Sequence, residues 1–274
     1  MAYRTRKQIT IAVIFFLILA ALGTAVYFVF LKPAPSCFDG IKNQDEDEVD
    51  CGGNCETDFD LPCEKKFLKN VEVVWAEVIP VTQNVYDLAA SIRNPNPNYG
   101  TSNLRYSFVF KGAGGQVLEE HKDGITFILP NATKYVIENN IETKEPVASV
   151  ELKIEMGDRE NWEKIKDYQA ISLVVKDRQF DVASGTASGT IKNDTDFSFD
   201  KVDVNVVLFD SARNPIGALK SVMRTLTAGE ARGFSLRWFY SLNSDILYPD
   251  MQAETNLFSD ENYMEIHGEP GSGY

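Results

Sequence analysis

The sequence predicts a mainly β protein with one N-terminal transmembrane helix, a small disulfide-rich loop and two tandem immunoglobulin-like antiparallel β-sandwiches. Three observations predict this fold class. Residues 9–31 carry no charge, all four cysteines fall within residues 37–63, and alternating apolar patterns recur about 99 residues apart in the rest of the chain.

These observations divide the chain into segments that differ in composition. The predicted segments are a cytoplasmic N-terminus (1–8), a transmembrane helix (9–31), an acidic cysteine-rich loop (32–66), a first β-sandwich (67–160), a linker (161–169), a second β-sandwich (170–266) and a disordered tail (267–274).

The uncharged stretch is long enough to cross a bilayer, because 23 helical residues span about 35 Å at 1.5 Å per residue. Three basic residues precede it, and only Lys32 follows closely, so the N-terminus is expected in the cytoplasm and the remainder outside the membrane. A cleaved signal peptide is the alternative. Its apolar core would end near the small residues Gly23-Thr24-Ala25, but the apolar run continues beyond them. We therefore expect an uncleaved, integral anchor.

The charge of the chain limits its partners. The formal net charge is −13, from 40 acidic and 27 basic residues. Nucleic-acid binding needs clustered Lys and Arg, so this balance argues against it. The same balance argues against a surface that lies on anionic lipid, and solubility is the simplest explanation of the acidity.

The cysteines Cys37, Cys51, Cys55 and Cys63 form one cluster next to the membrane. An even, clustered set in an oxidising compartment predicts two disulfides, and sequence alone leaves all three pairings open. Zinc is the alternative, because the Cys51-x3-Cys55 spacing approaches that of a ligand pair.

Six acidic residues lie between Asp39 and Asp50, against a single Lys42. Flexible loops rich in carboxylate oxygens are the usual ligands of calcium. The oxygens predicted to bind calcium belong to Asp39, Asn43, Asp45, Asp47 and Asp50. EF-hand spacing is not met, and a solvated disulfide knot without metal is the alternative.

The pattern of this loop, Cys-x-Asp-Gly-Ile-x-Asn-Gln followed by Val-Asp-Cys-Gly-Gly-x-Cys, resembles a short motif of bacterial cell-surface proteins. It is also loosely similar to the calcium-binding repeats of thrombospondin type 3. The loop departs from both, because Cys63 lies farther from Cys55 than the last cysteine of the motif and because the pattern occurs once rather than in an array.

The larger part of the chain repeats itself. Ser91-Ile92-Arg93-Asn94 matches Thr190-Ile191-Lys192-Asn193 at an offset of 99, and the alternating strand that starts at Leu104 matches the one at Val202 at an offset of 98. We infer a duplication of a unit of about 98 residues. Each unit offers about seven short strands separated by turn signals, which is typical of an immunoglobulin-like sandwich. A helical turn is expected near Trp162, between the units.

Both units carry a family resemblance. In the second unit, Val206, Leu208, Phe209 and Asp210 occupy the positions of the FxLYD motif, with Val for Phe and Phe for Tyr. The first unit, with Asn94-Pro95-Asn96 followed by Leu104-Arg105-Tyr106, is similar to the water-stress and hypersensitive-response (WHy) domain. The resemblance implies small envelope β-sandwiches and no shared catalytic site.

The sequence contains no recognisable catalytic motif. His121 and His267 lack partners at ligand spacing, and Gly112-Ala113-Gly114-Gly115 lacks the Lys-Ser/Thr of a phosphate loop. We therefore expect no enzyme, and a hydrolase built from scattered carboxylates is the weaker alternative. Strand alternation places Phe239 outward between core residues Trp238 and Tyr240, which makes Phe239 a candidate contact residue.

The sequence as a whole predicts a single-pass membrane protein with a binding, adhesion or scaffolding role in a cell envelope. Its expected partners are the membrane and another envelope or surface protein. A structural spacer with a calcium-stiffened joint is the alternative.

Overall fold

The structure is a computed structural model. It describes residues 2–28, 36–37, 39–43, 45–46, 49–53, 55, 63–165, 173–240, 242 and 246–262. Within these residues the predicted fold class is confirmed: the chain is mainly β, with one N-terminal apolar helix and several antiparallel sheets. The chain divides into two compact units, Met1–Lys66 and Phe67–Tyr274. The predicted tail, with His267, and the linker beyond Ile165 lie outside the described residues.

The first unit contains helix α1 (Ala2–Val26) and the short helix α2 (Cys63–Lys66). Helix α1 includes residues 2–8, which the sequence suggested as a separate N-terminus. Its part from Arg6 to Val26 is long and apolar enough to cross a membrane, and residues 29–31 of the predicted span are not described. The hydroxyl of Thr10 donates to the carbonyl of Arg6 (2.9 Å), and that of Thr24 donates to Ala20 (3.0 Å). These hydroxyls are therefore satisfied within the helix, as an apolar surrounding requires.

The second unit contains thirteen described strands. They are β1 (Glu72–Thr82), β2 (Val85–Arg93), β3 (Tyr99–Lys111), β4 (Val117–Ile128), β5 (Thr133–Glu142), β6 (Ser149–Glu155), β7 (Glu163–Lys164), β8 (Leu173–Asp181), β9 (Thr186–Asn193), β10 (Phe199–Asp210), β11 (Pro215–Leu226), β12 (Ala231–Arg237) and β13 (Ile246–Glu254). Two 3-10 turns, Arg159–Asn161 and Asp260–Asn262, complete it, and the first is the helical turn expected near Trp162.

The strands form two antiparallel sandwiches of the same topology. In the first sandwich the sheet β1-β2-β5 faces the sheet β4-β3-β6, and β7 pairs with the start of β3. In the second, the sheets are β8-β9-β12 and β11-β10-β13. Strands β8 to β13 therefore occupy the positions that β1 to β6 occupy in the first sandwich. This is the strand arrangement of an immunoglobulin-like sandwich with six strands.

Each sandwich has fewer and longer strands than the sequence suggested. Strand β4 runs unbroken through Gly124, because Gly124 lies opposite Tyr106 and the tyrosine ring occupies the place of a side chain there. His121 is exposed and lies within β4. Strand β11 is likewise continuous from Pro215 to Leu226, and β12 ends at Arg237.

Each sandwich encloses its own apolar core. The first core includes Phe108 and Trp162, which are both fully buried, and the second includes Val204, which is 1% exposed. Phe108 and Val204 are therefore core residues of the first and second sandwich. The cores contain no cysteine among the described residues, so the packing of apolar side chains holds each pair of sheets together.

A third apolar cluster lies between the two sandwiches and was not anticipated. Its members come from both repeats: Ile79, Ala89, Tyr135, Ile137, Val207, Phe209 and Ala218. Strand β2 illustrates the arrangement, because Leu88 and Ala90 face the first core whereas Ala89 faces this cluster. Strand β2 is thus buried on both faces, and the two sandwiches pack together within one compact unit.

Candidate functional site

The acidic loop of the first unit is the first candidate site. Cys37 is bonded to Cys55, with 5.4 Å between their Cα atoms, and Cys51 is disulfide-bonded as well. The described residues contain no free cysteine, so a zinc site would lack its thiolate ligands. The side chain of Cys63 lies outside the described residues.

Backbone N–H groups donate to three of the described carboxylates of this loop, those of Asp39, Glu46 and Asp50. Asp39 accepts from the backbone N–H groups of Ser36 (3.2 Å) and Ile41 (2.9 Å), and Asp50 accepts from those of Asp39 (3.0 Å) and Gly40 (2.9 Å). Glu46, which is only 6% exposed, accepts from the N–H groups of Asn43 (3.1 Å) and Asp50 (3.2 Å). The N–H of Ser36 is the main reason that the pKa of Asp39 lies below its usual range.

This arrangement fits calcium only in part. The Oδ1 atom of Asn43 is buried and has no hydrogen-bond partner, which leaves one oxygen for a cation. Asp45 is exposed, Asp47 lies outside the described residues, and the described residues form no group of three or more acidic, His or Cys side chains placed to hold a metal. Calcium binding by the five named residues stays a prediction. No feature of the sequence distinguishes Glu46 as the buried carboxylate of the loop.

A buried lysine connects the two sandwiches. Lys134, at the start of β5, is 2% exposed, and its Nζ atom lies 2.8 Å from Glu254 and 3.6 Å from Asp203 of the second sandwich. The same atom lies 3.5 Å above the centre of the Phe127 ring. A buried amine requires such partners, because its charge would otherwise be uncompensated. Lys134 lies two residues before the buried Val136 in β5, so strand alternation places both side chains on the same face. This alternation was the only indication in the sequence that Lys134 is buried.

Two tyrosines donate across the same interface to carboxylates. The hydroxyl of Tyr135 donates to Asp250 (2.7 Å), and that of Tyr240 donates to Asp87 (2.9 Å), which is 1% exposed. Burial raises the pKa of both phenols above the usual value, and the neighbouring carboxylates raise it further. Both phenols therefore remain protonated donors through the physiological range.

Side-chain amides take the place of a partner strand where β5 crosses the sheet β11-β10-β13. Asn139 donates to the carbonyl of Ala218 (2.8 Å) and accepts from the N–H of Lys220 (3.3 Å), both on β11. Gln252 on β13 accepts from the N–H of Tyr135 at 2.9 Å. These bonds satisfy backbone groups that an apolar contact alone would leave unpaired.

Each sandwich also contains one fully buried asparagine at the same place in the repeat. Asn94, after β2, donates to the carbonyls of Tyr99 (2.7 Å) and Leu129 (2.9 Å). Asn193, at the end of β9, donates to the carbonyls of Phe197 (2.8 Å) and Thr227 (3.0 Å). The asparagines that mark the duplication in the sequence therefore hold two loops together inside each sandwich.

A cleft of about 400 Å³ lies beside the interface. Its walls include Ile125, which is 62% exposed, and Val222, which is 51% exposed. Its charged residues are paired: Lys134 contacts Asp203 within the lining, and Lys220 lies 3.1 Å from Glu138 outside it. The cleft is thus a mixed surface that forms only when both sandwiches are in place.

Phe239 lies at the end of the second sandwich and is 90% exposed, whereas Trp238 is 3% exposed. This is the outward orientation that alternation predicts, although the residues lie in the loop after β12 and not in the strand. Phe239 as a binding residue stays a prediction.

No family model and no curated protein matches the chain. The resemblance of the two sandwiches to FxLYD and WHy domains, and that of the cysteine loop to the bacterial surface motif, stay predictions. The geometry described above is therefore the basis for any functional conclusion.

Proposed function

We propose that this protein is a single-pass membrane protein whose sandwich pair binds or scaffolds another envelope or surface protein outside the membrane. The proposed role is non-catalytic. Nucleic acid is not among the proposed partners, because the net charge of −13 opposes it.

The observation that carries the proposal is the buried interface between the sandwiches. Tandem domains joined only by a linker are expected to move relative to one another, whereas a large apolar interface fixes them. Here the apolar cluster around Val207 and Phe209 is reinforced by the ion pairs of Lys134 and by the two tyrosine–carboxylate bonds. A rigid pair presents surfaces from both repeats in one fixed arrangement, which suits recognition of a partner.

The exposure of helix α1 supports the anchor. Its large apolar side chains are between 48% (Leu19) and 71% (Phe16) exposed over Ile9–Val26. Such a surface is unfavourable in water and favourable in lipid. The basic residues Arg4, Arg6 and Lys7 support a cytoplasmic N-terminus. Membership of the FxLYD and WHy families, which we propose for the two units, agrees with an envelope location.

The spacer with a calcium-stiffened joint remains the second candidate. The buried, unpartnered Oδ1 atom of Asn43 is the observation that favours it. In this function the calcium-bound loop would set the distance and angle of the sandwiches from the membrane. The surface of the sandwiches would have no role, and any rigid module of the same size could replace them.

Proximity labelling in intact cells separates the two functions. The labelling enzyme is attached to the full chain and, as the control, to residues 1–66 of the chain followed by an unrelated pair of β-sandwiches. A binding or scaffolding role predicts envelope proteins that are labelled by the full chain and not by the control. Identical labelling by both would contradict that role and would favour the spacer.

A further inference from the structure

The end of the second sandwich that carries Phe239 presents a small apolar surface flanked by opposite charges. Phe239 and Val182 are 90% and 59% exposed, and Arg237 and Asp181 beside them are exposed as well. These four residues are called the Phe239 patch below.

The strand register brings the patch together from two separate strands. Arg237 on β12 and Asp181 on β8 both stand opposite Thr186, which lies on the strand between them. Because neighbouring strands are spaced about 4.8 Å apart, the two charged residues are separated by roughly 10 Å at one end of the same sheet. Phe239 follows Arg237 by two residues, and Val182 follows Asp181 by one, so both apolar side chains extend beyond that end.

The exposed phenylalanine is held in place by its neighbours. The N–H of Trp238 donates to the carbonyl of Gly185 (2.9 Å), and the Trp238 ring packs against Phe180 with 5.8 Å between ring centres. On the other side, the hydroxyl of Tyr240 donates to buried Asp87. The loop is therefore ordered before any partner binds, which lowers the entropic cost of binding.

The charged side chains of Arg237 and Asp181 are also fixed in position by contacts with their neighbours. The guanidinium of Arg237 lies 5.8 Å from the centre of the Phe239 ring, a cation–π contact that keeps the cation beside the ring. The carboxylate of Asp181 accepts from the hydroxyl of Ser184 (2.7 Å) and the N–H of Ala183 (3.0 Å). These bonds, the first above all, place the pKa of Asp181 below its usual range, so the anion persists in mildly acidic surroundings.

We propose that the Phe239 patch is a contact through which two membrane-anchored copies of this chain associate. A two-fold rotation places Arg237 opposite Asp181 of the partner subunit and Phe239 against Val182 of the partner subunit. The patch is self-complementary under that rotation, because its cation and its anion stand on the two outer strands of one sheet and each has one apolar residue of the patch close to it in sequence. A second copy therefore satisfies both charges and both apolar groups.

The contact is weak in solution, because a patch of this size is far below the interface of about 1,200 Å² or more that stable complexes bury. Attachment to a membrane converts a weak contact into a populated one, since it raises the effective concentration of the copies. The inference therefore rests on the proposed membrane anchor, and its test must separate a failure of the anchor from a failure of the contact.

The test uses the full chain, labelled with donor or acceptor dyes and reconstituted in phosphatidylcholine vesicles. Energy transfer above the level of randomly placed copies is the expected result. Phe239→Ala should weaken the association by roughly tenfold to a hundredfold, because each dimer buries two phenylalanines. The matched control is Phe197→Ala, which removes an equally apolar, 51% exposed side chain at the opposite end of the sandwich and should change nothing.

Charge reversal tests the two-fold arrangement itself. Arg237→Glu and Asp181→Lys should each abolish transfer between identical copies, because like charges then face one another. Mixing the two variants should restore it, since every charge in the mixed dimer again faces its opposite. Thermal unfolding of each variant checks that the β8–β9 turn survives the change at Asp181.

Flotation of the same vesicles separates the two possible failures. A chain that does not float with the vesicles would overturn the anchor. A chain that floats, but shows only random transfer or is unaffected by Phe239→Ala, would overturn the dimer contact alone. Phe239-dependent crosslinking in cells to a different protein, with no self-transfer in vesicles, would also overturn it.

Discussion

Replacement of Asn193 by alanine should destabilise the second sandwich strongly. The side chain is fully buried, and its amide donates to the carbonyls of Phe197 and Thr227 and, at 3.4 Å, of Leu226. Its oxygen accepts from both the N–H (3.1 Å) and the hydroxyl (2.7 Å) of Thr195. The alanine variant removes the side-chain partner of each of these groups.

The magnitude follows from counting those groups. Leaving one buried polar group unsatisfied costs about 1–3 kcal/mol. Part of the loss is recovered here, because the hydroxyl of Thr195 also donates to Phe197, at 3.2 Å. We therefore expect the free energy of unfolding to fall by about 3–5 kcal/mol, well beyond an ordinary surface substitution.

Urea unfolding of residues 67–274, followed by fluorescence and circular dichroism, measures this loss. Asn193→Asp keeps the accepting oxygen but removes the donors and adds a buried charge, so it should destabilise at least as much. Asn103→Ala, at an exposed position in β3, is the control and should change stability by less than about 0.5 kcal/mol. A loss below about 1 kcal/mol for Asn193→Ala would refute the structural role of the asparagine.

Three further predictions test other parts of the structure. Val204→Ala should cost about 2–5 kcal/mol in urea unfolding, because it opens a cavity in a fully packed core, and a near-neutral result would contradict the burial of this side chain. Burial and neighbouring carboxylates raise the pKa of the phenols of Tyr106, Tyr135 and Tyr240 in the folded protein. Their contribution to the free energy of unfolding should therefore be fully present below pH 10.0 and should decrease as the pH rises above that value. The hydroxyl of Tyr106 donates to Glu138, as those of Tyr135 and Tyr240 donate to Asp250 and Asp87. Conversion of these three tyrosines to phenylalanine should flatten the fall, and an unchanged pH dependence would contradict the role of the three phenols. Titration calorimetry of the oxidised loop with calcium should show binding on the order of 10⁻⁴–10⁻³ M that is lost in Asp45→Ala, and the absence of heat at millimolar calcium would leave a solvated knot.

The architecture was largely predictable because its signals are local and periodic. An uncharged run of helix length, alternation with a period of two and the repeated asparagines each identify an element without knowledge of its neighbours. The number of strands was not predictable, because a glycine such as Gly124 reads as a turn until the ring of Tyr106 across the sheet is known.

The contact between the sandwiches could not be predicted for a different reason. Both faces of β2 are buried, so its sequence shows no alternation of apolar and polar residues. Small residues such as Ala89 and Ser91 also do not indicate which surface they contact. The buried Lys134 and its partner Glu254 are 120 residues apart, and no sequence rule brings them together. In the loop, composition indicated where carboxylates cluster but not that backbone N–H groups would satisfy them.

Differential scanning calorimetry of residues 67–274 tests most directly whether the two sandwiches form one body. The buried interface predicts a single transition whose calorimetric enthalpy equals the van't Hoff enthalpy, because neither sandwich can unfold without exposing the cluster around Val207 and Phe209. Two separate transitions, each with about half of the total enthalpy, would contradict a single cooperative unit. They would show that the sandwiches are two independent domains joined by a linker.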